Sequence, residues 1–511
     1  MAITVTHAFV SAKANGSDAT LVQPTDWNAS HTISLAAGKI LGRDTSGAGA
    51  VQELPLAFTA AYDVTFPLTT GAITGALGTT AQRPGAPTAG MERWNSSTVA
   101  KELHNGTSWL ALLTAGAITS FAPTGRLTLE TGVPVSSTDQ AGKATIYYTP
   151  AGVGYAQYPS YDGTNWSVIA FSELSNDTTA SATNNAGAAA AGPYQMQDCF
   201  VWSNAGTNRL TRGPKWSASA TATMTIATPC VVTWTAHGLW DGATVRLTTT
   251  GALPTGLTAS TDYFITKIDA NTFNLSTTLA NQVAGTKIAT SGTQSGVHTA
   301  FNYTSVRGTG AATTELQMLN GIYVNKYDIT NGPAATKGTY VGSVYFNASS
   351  QIDLKFGGLA NGGSEADIGI WNAYNRLEVS GQVRDSVNSW TYASGVIRAA
   401  RGLTGMRVTC AIGLDLEPLA SAYYGVGVNT GNYSNFGIGD KTTFAFSGII
   451  GLFMPNGFGY FSQGVGIHQS RGLGRPYHAA CERADGGTSY FYGDNGNAAV
   501  YQTGVHYSWR Y

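Results

Sequence analysis

The acidic residues of the C-terminal half are the first candidates for catalytic groups. Glu365 and Asp367 stand two residues apart in "GSEADIGIW", and Asp385, Asp415 and Glu417 follow. Two carboxyl groups a few Å apart can hydrolyse a glycosidic bond, and strand alternation would place Glu365 and Asp367 on one face. Solvated acids at a strand edge or turn are the commoner explanation, and no long β-helix repeat is apparent. We therefore predict that the chain is not an enzyme and keep glycan hydrolysis as an alternative.

Other catalytic and metal-binding patterns are weak. No GxSxG motif occurs, and His478 and Cys481 in "HAAC" have no third partner for nucleophilic catalysis. His237 in "TAHGLWDG" is typical of a turn histidine, and the Gly-rich segments precede no helix that could hold a phosphate. The cysteines are far apart and lack metal-ligand spacing, so we expect reduced, buried thiols at Cys199, Cys230, Cys410 and Cys481. The sequence predicts no catalytic residue, cofactor or metal.

Composition narrows the possible partners. Charged residues make up 11% of the 511 residues, whereas roughly 25% is usual. The 28 basic and 29 acidic residues nearly cancel, so no net field attracts nucleic acid or an anionic bilayer. The N-terminus lacks a charged start followed by an apolar run, and no apolar stretch approaches about 18 residues. We predict no secretion signal, no membrane insertion and no nucleic-acid partner.

The elements that must position any site are strands. Short alternating runs such as "DYFITKID" and "GSVYFN" are bounded by Gly, Asn, Asp or Pro throughout the chain. Thr, Val, Ile, Tyr and Trp suit a pleated surface, and Gly and Asn supply the positive φ of tight turns. We predict an all-β, elongated, multidomain protein made of small β-hairpin modules, an inserted β domain and a jelly-roll-like C-terminal β-sandwich.

One phrase occurs twice, as "HNGTSW" and "YDGTNW". The Asn-Gly and Asp-Gly pairs predict tight hairpin turns at Gly106 and Gly163. Trp109 and Trp166 then begin the returning strands, where each ring can cover a small core. Two related β modules in series explain the repetition.

The N-terminal residues differ from the rest. Isolated apolar anchors are separated by small and turn-forming residues, and such a segment cannot bury enough surface to fold alone. We expect it to dock on something larger through Trp27, Ile33, Leu41 and Leu54. The predicted organisation is an attachment arm, a small β module, a second β module with a linker that continues after the insert, an inserted β domain and a C-terminal β-sandwich, over 1–60, 61–120, 121–217, 218–302 and 303–511.

Aromatic residues near the C-terminus are interleaved with Gly, Asn, Ser and Asp. Flat rings can stack on sugars while short polar groups bind hydroxyls, although about half of such rings fill cores or subunit contacts. We predict a binding surface for a glycan or a protein, with candidate residues Tyr433, Tyr460, Tyr490, Tyr492 and Trp509.

Several segments together resemble one group of proteins. "VQPTDWNASH" with "ILGRDTSGAGAVQEL", "PTAGMERWNSSTVAKELHNGTSW" and "IGIWNAYNRLEVSGQVRDSVNSWTY" resemble tailed-bacteriophage fibre and spike proteins, and "VTWTAHGL" belongs to an insert similar to a phage β module. The resemblance implies a structural virion protein made in the host cytoplasm, usually homotrimeric. Its N-terminus would bind other virion proteins of the portal, tail, collar or capsid, and its C-terminal part would mediate host attachment. Alternatives are a head fibre or decoration protein without a specific receptor and, less favoured, a glycan-hydrolysing tailspike.

Overall fold

The computed structural model describes residues 2–5, 17, 31–34, 39–42, 52–55, 76–98, 100–114, 122–151, 156–179, 190–440, 445–453, 462–499 and 502–511. Nearly every regular element in these residues is a strand, so the predicted all-β, multidomain class is confirmed. The chain divides into two compact units, Met1–Ala117 and Ile118–Tyr511. Among the described residues, no helix is long and apolar enough to cross a membrane.

The described residues of the first unit form short strands and one 3-10 turn, Thr80–Gln82. β1 pairs with β2 and β3 with β4, while β5 to β8 form a four-stranded sheet. The strands are β1 (Ala2–Val5), β2 (His31–Ser34), β3 (Lys39–Gly42), β4 (Gln52–Pro55), β5 (Ala76–Gly78), β6 (Glu92–Asn95), β7 (Ala100–His104) and β8 (Trp109–Thr114).

The first repeated phrase forms the β7–β8 turn of this sheet. Gly106 has a φ of 101°, and the Asn105 side-chain oxygen accepts hydrogen bonds from the backbone N–H groups of Thr107 at 3.0 Å and Ser108 at 2.8 Å. Trp109 is paired with His104 across the hairpin, and their ring centroids are 5.2 Å apart. The predicted hairpin turn is therefore confirmed, although the Trp109 ring is only half-buried.

The second unit begins with eight strands. They are β9 (Gly125–Thr128), β10 (Gln140–Lys143), β11 (Thr145–Pro150), β12 (Gln157–Tyr161), β13 (Trp166–Ala170), β14 (Leu174–Asp177), β15 (Gln195–Asn204) and β16 (Thr207–Lys215). The second phrase forms the β12–β13 turn, where Gly163 has a φ of 104° and the Asp162 carboxylate accepts two backbone N–H groups at 2.7 Å. Here Trp166 is buried against Ile322 and Val324, so the same local turn gains a core partner.

Residues 218–302 form a closed six-stranded barrel with its own core. The chain order differs from the order around the barrel, which is β17, β18, β21, β20, β19, β22. The elements are β17 (Ala218–Met224), β18 (Val231–Thr233), β19 (Thr244–Thr249), β20 (Asp262–Lys267), β21 (Thr272–Ser276), the short helix α1 (Leu279–Val283) and β22 (His298–Asn302). The barrel has the bounds that the sequence predicts for the inserted domain.

The remaining described residues of the second unit form seventeen more strands and a 3-10 turn, Ala400–Gly402. The strands are β23 (Leu316–Leu319), β24 (Ile322–Asn325), β25 (Thr339–Phe346), β26 (Ile352–Ala360), β27 (Ser364–Ile368), β28 (Ile370–Asn372), β29 (Glu378–Asp385), β30 (Ser389–Tyr392), β31 (Arg398–Ala399), β32 (Arg407–Cys410), β33 (Leu419–Asn429), β34 (Tyr433–Asp440), β35 (Phe446–Phe453), β36 (Ser462–Ser470), β37 (Tyr477–Asp485), β38 (Ser489–Tyr492) and β39 (Gly504–Arg510).

The segments 121–217 and 303–511, which lie on either side of the barrel, share sheets and a core. β15 pairs with β25 in a six-stranded sheet, and β10 pairs with β26 in a fourteen-stranded sheet. One hydrophobic cluster contains Trp216, Trp371 and Trp509 together. Residues on both sides of the barrel therefore fold as one body, as expected when a self-contained domain is inserted at a turn.

The fourteen-stranded sheet positions the site described next. Its strand order includes the run β34, β37, β32, β27, β26. Along β27, Ala366 and Ile368 are fully buried in the core, so alternation turns Glu365 and Asp367 to the opposite face. The predicted shared face of these two acids is confirmed.

Candidate functional site

A polar face runs across four neighbouring strands of the large sheet. The register aligns Lys355 of β26, Asp367 of β27, Thr409 of β32 and Tyr477 of β37 in one row. The alternate positions on the same face include Asp353, Glu365 and Arg407, two residues along β26, β27 and β32. Charged residues are rare in this chain and are seldom buried in proteins. A dense cluster of largely buried charged residues therefore indicates a functional surface.

Residues of the barrel and of this polar face together line an open cavity of about 290 Å³, which we call the barrel–sheet cleft. The barrel contributes Trp240, Thr244, Phe264 and Leu279, while the sheet contributes the polar floor. Tyr194 also lines the cleft and packs edge-to-face on Phe264, with ring centroids 5.4 Å apart. Apolar walls above a polar floor are the usual composition of a small-ligand pocket.

Two arginines on the floor are held by aromatic rings. The guanidinium of Arg475 lies 3.4 Å from the ring centroid of Tyr345, and that of Arg407 lies 4.1 Å from the ring centroid of Tyr477. Arg475 also donates to the Asp367 carboxylate at 2.7 Å. Stacking and ion pairing leave these side chains little rotamer freedom, so the floor is rigid before any ligand binds.

Several polar atoms of the floor lack a protein partner. Within the described part of the chain, no hydrogen bond reaches these buried atoms: Asp367 Oδ1, Arg407 Nε and Nη2, Arg475 Nη1 and Tyr477 Oη. Asp367, Arg407 and Tyr477 are each less than a tenth exposed. Buried polar groups are almost always hydrogen-bonded, and each exception costs about 1–3 kcal/mol. These five atoms belong to four side chains that line one cavity, which indicates a place where a polar ligand or water completes the hydrogen bonds.

Burial changes the titration of the cleft acids. It raises the pKa of the Glu365 carboxyl above its ordinary value, and the nearby Asp367 charge adds to this effect. For Asp353, burial acts in the same direction, but hydrogen bonds from Asn347 and the Gly142 N–H outweigh it and lower the pKa. Although burial opposes protonation of Arg475, the charge of Asp367 raises the pKa of this arginine. The floor thus contains fixed ions beside one carboxyl group that is easily protonated.

The predicted receptor-binding residues do not gather in this cleft. Tyr433 is 45% exposed and Tyr490 is 38% exposed, on β34 and β38 of the same sheet, and Tyr492 is half-buried. Tyr460 lies outside the described residues. Trp509 is only 1% exposed and belongs to the main core, so its place in a binding surface was wrongly predicted. Alternation along β39 turns its ring inward, where burial of so large a ring stabilises the fold.

The other residues that the sequence singled out lie outside the cleft or outside the described residues. One ring nitrogen of His237 accepts the Leu239 N–H within its own turn, and the other bonds to the Asp269 carbonyl of the turn between β20 and β21. His478 is fully buried between the Ser421 and Ser470 hydroxyls.

All four cysteines are buried and free, as predicted, and no metal-binding group of His, Cys, Asp and Glu occurs among the described residues. Of the predicted arm anchors, Ile33, Leu41 and Leu54 fall in β2, β3 and β4, whereas Trp27 lies outside the described residues.

Sequence reasoning found two residues of the cleft and missed the others. Glu365 and Asp367 were recognised through alternation within one strand. Arg407, Arg475 and Tyr477 come from other strands and loops and belong to no local motif. The sequence signal that could have found them is the rarity of charged residues. An arginine beside apolar strand residues is unusual in this composition, and a buried arginine needs an acidic or hydrogen-bonding partner.

Comparison with known proteins adds little. No family model and no curated protein sequence matches the chain. Among solved structures it is similar, at 9% identity, to a Bacillus thuringiensis Cry1Da tryptic core variant, with 62% of this chain and 51% of that chain covered and a TM-score of 0.13. It is also similar, at 9% identity, to the B. thuringiensis insecticidal delta-endotoxin Cry8Ea1, with 65% and 54% covered and a TM-score of 0.16. The chain thus spans about half the length of these structures, and likeness at this level supports no conclusion about fold or function.

Proposed function

We propose that the chain is a structural virion protein of a tailed bacteriophage, a fibre or spike that is anchored by its N-terminal residues and attaches the particle to the host cell surface. The barrel–sheet cleft is the site where the host ligand binds. The observation that carries the proposal is the set of unpartnered polar atoms on a rigid floor beneath apolar walls. Such a site is prepared for reversible binding, since few groups have to be ordered when the ligand arrives.

The sequence supports the wider setting of this site. Phage-like segments cover much of the chain, and the charge-poor, strand-rich composition is typical of a scaffold exposed to solvent. A homotrimer present in several copies per particle would multiply a modest affinity, because linked sites bind at a high effective concentration. Adhesion therefore requires only weak binding in each cleft.

Adsorption measurements test this proposal. The purified full-length chain should bind host cells and block adsorption of intact particles. Particles in which residues 1–60 are deleted from the protein should lack it, because the arm anchors it to other virion proteins. A chain that incorporates normally but neither binds cells nor affects adsorption would instead favour a head fibre or decoration protein.

Glycan hydrolysis is the second candidate, favoured by the presence of Glu365 and Asp367 in the same cleft. The raised pKa of Glu365 suits a general acid, and a carboxylate two residues along the strand could act as the base. Release of reducing ends from host polysaccharide, lost in both Glu365→Gln and Asp367→Asn, would establish this activity. Binding without any release of reducing ends would leave adhesion as the function.

A further inference from the structure

We infer that the barrel–sheet cleft binds a neutral sugar residue with adjacent free hydroxyl groups. This inference rests on the proposed attachment function and names the chemistry of its ligand. Asp367, Arg407, Arg475 and Tyr477 would bind the hydroxyls, and Trp240 would cover the apolar face of the ring. The cleft is distinct from the exposed tyrosines to which composition first draws attention.

The first argument is the mixture of donors and acceptors on the floor. The unpartnered atoms of Arg407 and Arg475 only donate, Asp367 Oδ1 only accepts, and Tyr477 Oη can do both. A hydroxyl group also donates and accepts, so one pair of neighbouring hydroxyls can satisfy a guanidinium and a carboxylate together. A ligand with acceptors alone would leave Asp367 unsatisfied.

The second argument is the charge balance. Three carboxyl groups line the cleft, from Asp353, Glu365 and Asp367, together with the two guanidinium groups of Arg407 and Arg475. Even when Glu365 is protonated, the two remaining carboxylates balance the two guanidinium groups. A phosphate or sugar acid would gain from the arginines but would also face these carboxylates, and like charges in a partly buried site repel strongly. The Asp367–Arg475 pair further reduces the positive charge left for an anion. A neutral ligand avoids this penalty.

The third argument is size and wall chemistry. A volume of about 290 Å³ lies at the lower end of the roughly 300–1,000 Å³ that small-ligand pockets span, which suits one or two sugar rings better than a folded protein surface. Trp240 and Phe264 offer flat apolar surface. One face of a pyranose ring presents C–H groups that pack on such rings while its hydroxyls point to the polar floor.

The Tyr477→Phe variant provides the sharpest test, because it removes a hydroxyl that has no partner in the described chain. Its matched control is Tyr423→Phe: Tyr423 is also fully buried with an unpartnered hydroxyl, but it lies outside the cleft. Saturation-transfer NMR and titration calorimetry on the full chain would use glucose, galactose, mannose and N-acetylglucosamine, with glucuronate and inorganic phosphate as charged probes.

At least one neutral sugar should bind saturably, and neither charged probe should compete with it. Tyr477→Phe should weaken binding about 2- to 10-fold, the effect of one net hydrogen bond, while Tyr423→Phe should leave it unchanged. Equal effects of the two substitutions, or saturable binding of phosphate or glucuronate instead of the sugar, would overturn the inference. If no sugar binds but the purified chain still blocks adsorption, the inference fails and the attachment function stands. If adsorption is also unaffected, both fail.

Discussion

The cleft floor and the exposed tyrosines Tyr433 and Tyr490 belong to one sheet but present aromatic side chains in opposite ways. On the floor, Tyr477 is 3% exposed and supports a stacked arginine, and its hydroxyl has no protein partner. Tyr433 and Tyr490 project into solvent, where water can satisfy their hydroxyls. An exposed ring is ordinary, since more than half of a protein surface is apolar, whereas a buried polar atom without a partner is rare.

This contrast indicates which region is prepared for a ligand. The floor has already lost its contact with water, so a ligand that completes its hydrogen bonds gains the full benefit. The exposed tyrosines would have to lose water and rotamer freedom when they bind. Unpartnered polar groups also occur in the closed core, as at Tyr423, so the useful guide to the binding site is their coincidence with a cavity.

The largest difference between the regions should appear in stability. Asp367→Ala leaves Arg475 in the cleft without its ion-pair partner, and breaking a buried pair in this way costs about 3–5 kcal/mol. The exposed counterpart beside Tyr433 is the Arg483–Asp485 pair, with a separation of 3.6 Å, where Asp485→Ala should change the free energy of unfolding by less than about 1 kcal/mol. Urea unfolding measures both. Similar losses in the two variants would show that the floor is not buried as described.

Trp240→Ala should have the next largest effect, on binding of the cleft ligand. Loss of the apolar wall should weaken sugar binding about tenfold, corresponding to roughly 1.4 kcal/mol. The control is Trp202→Ala, since Trp202 is also half-buried and lines a different surface cavity with Asn331 and Lys337. Calorimetric titration with the same sugar compares them. A loss confined to Trp202→Ala would move the site to that second cavity.

The Glu365→Gln variant tests the electrostatics of the cleft floor through the pH dependence of the free energy of unfolding. Burial raises the folded-state pKa of Glu365 above its unfolded value, so between the two values the folded state binds more protons. The stability of the natural chain should therefore fall as pH rises from the unfolded pKa through the folded pKa. The glutamine variant lacks this fall and should be the more stable protein near neutral pH. Unfolding free energies between about pH 4 and pH 8 should show a difference that shrinks toward acid; a constant difference would contradict this account.

Local features of the fold were predictable from sequence, whereas most of the site was not. The Asn-Gly and Asp-Gly turns at Gly106 and Gly163 depend on four or five adjacent residues, so both hairpins were predicted correctly. The burial of Trp166 against Ile322 and Val324 depends on a strand more than 150 residues away in the chain. Its counterpart Trp109 has the same local signal and is less buried.

The cleft is formed by strands and loops that are far apart in the sequence. Its floor aligns β26, β27, β32 and β37, and Trp240 arrives from the inserted barrel. Alternation within β27 was enough to place Glu365 and Asp367 on one face, but no local pattern shows which strand lies alongside. For the same reason, Trp509 could not be separated by composition from rings that face solvent.

The smallest effect is expected at the exposed tyrosines, which makes them the decisive control for the comparison. A Tyr433→Ala and Tyr490→Ala double variant removes two rings that are more than a third exposed, and surface substitutions usually change the free energy of unfolding by no more than about 0.5 kcal/mol each. Sugar affinity measured by calorimetry should be unchanged, because neither ring lines the cleft. If host-cell adsorption is also unchanged, attachment does not depend on these two tyrosines. If adsorption falls while the sugar affinity of the cleft is unchanged, the exposed tyrosines contact the receptor as well. A host glycan longer than the cleft would explain this result, since it would continue across the sheet surface.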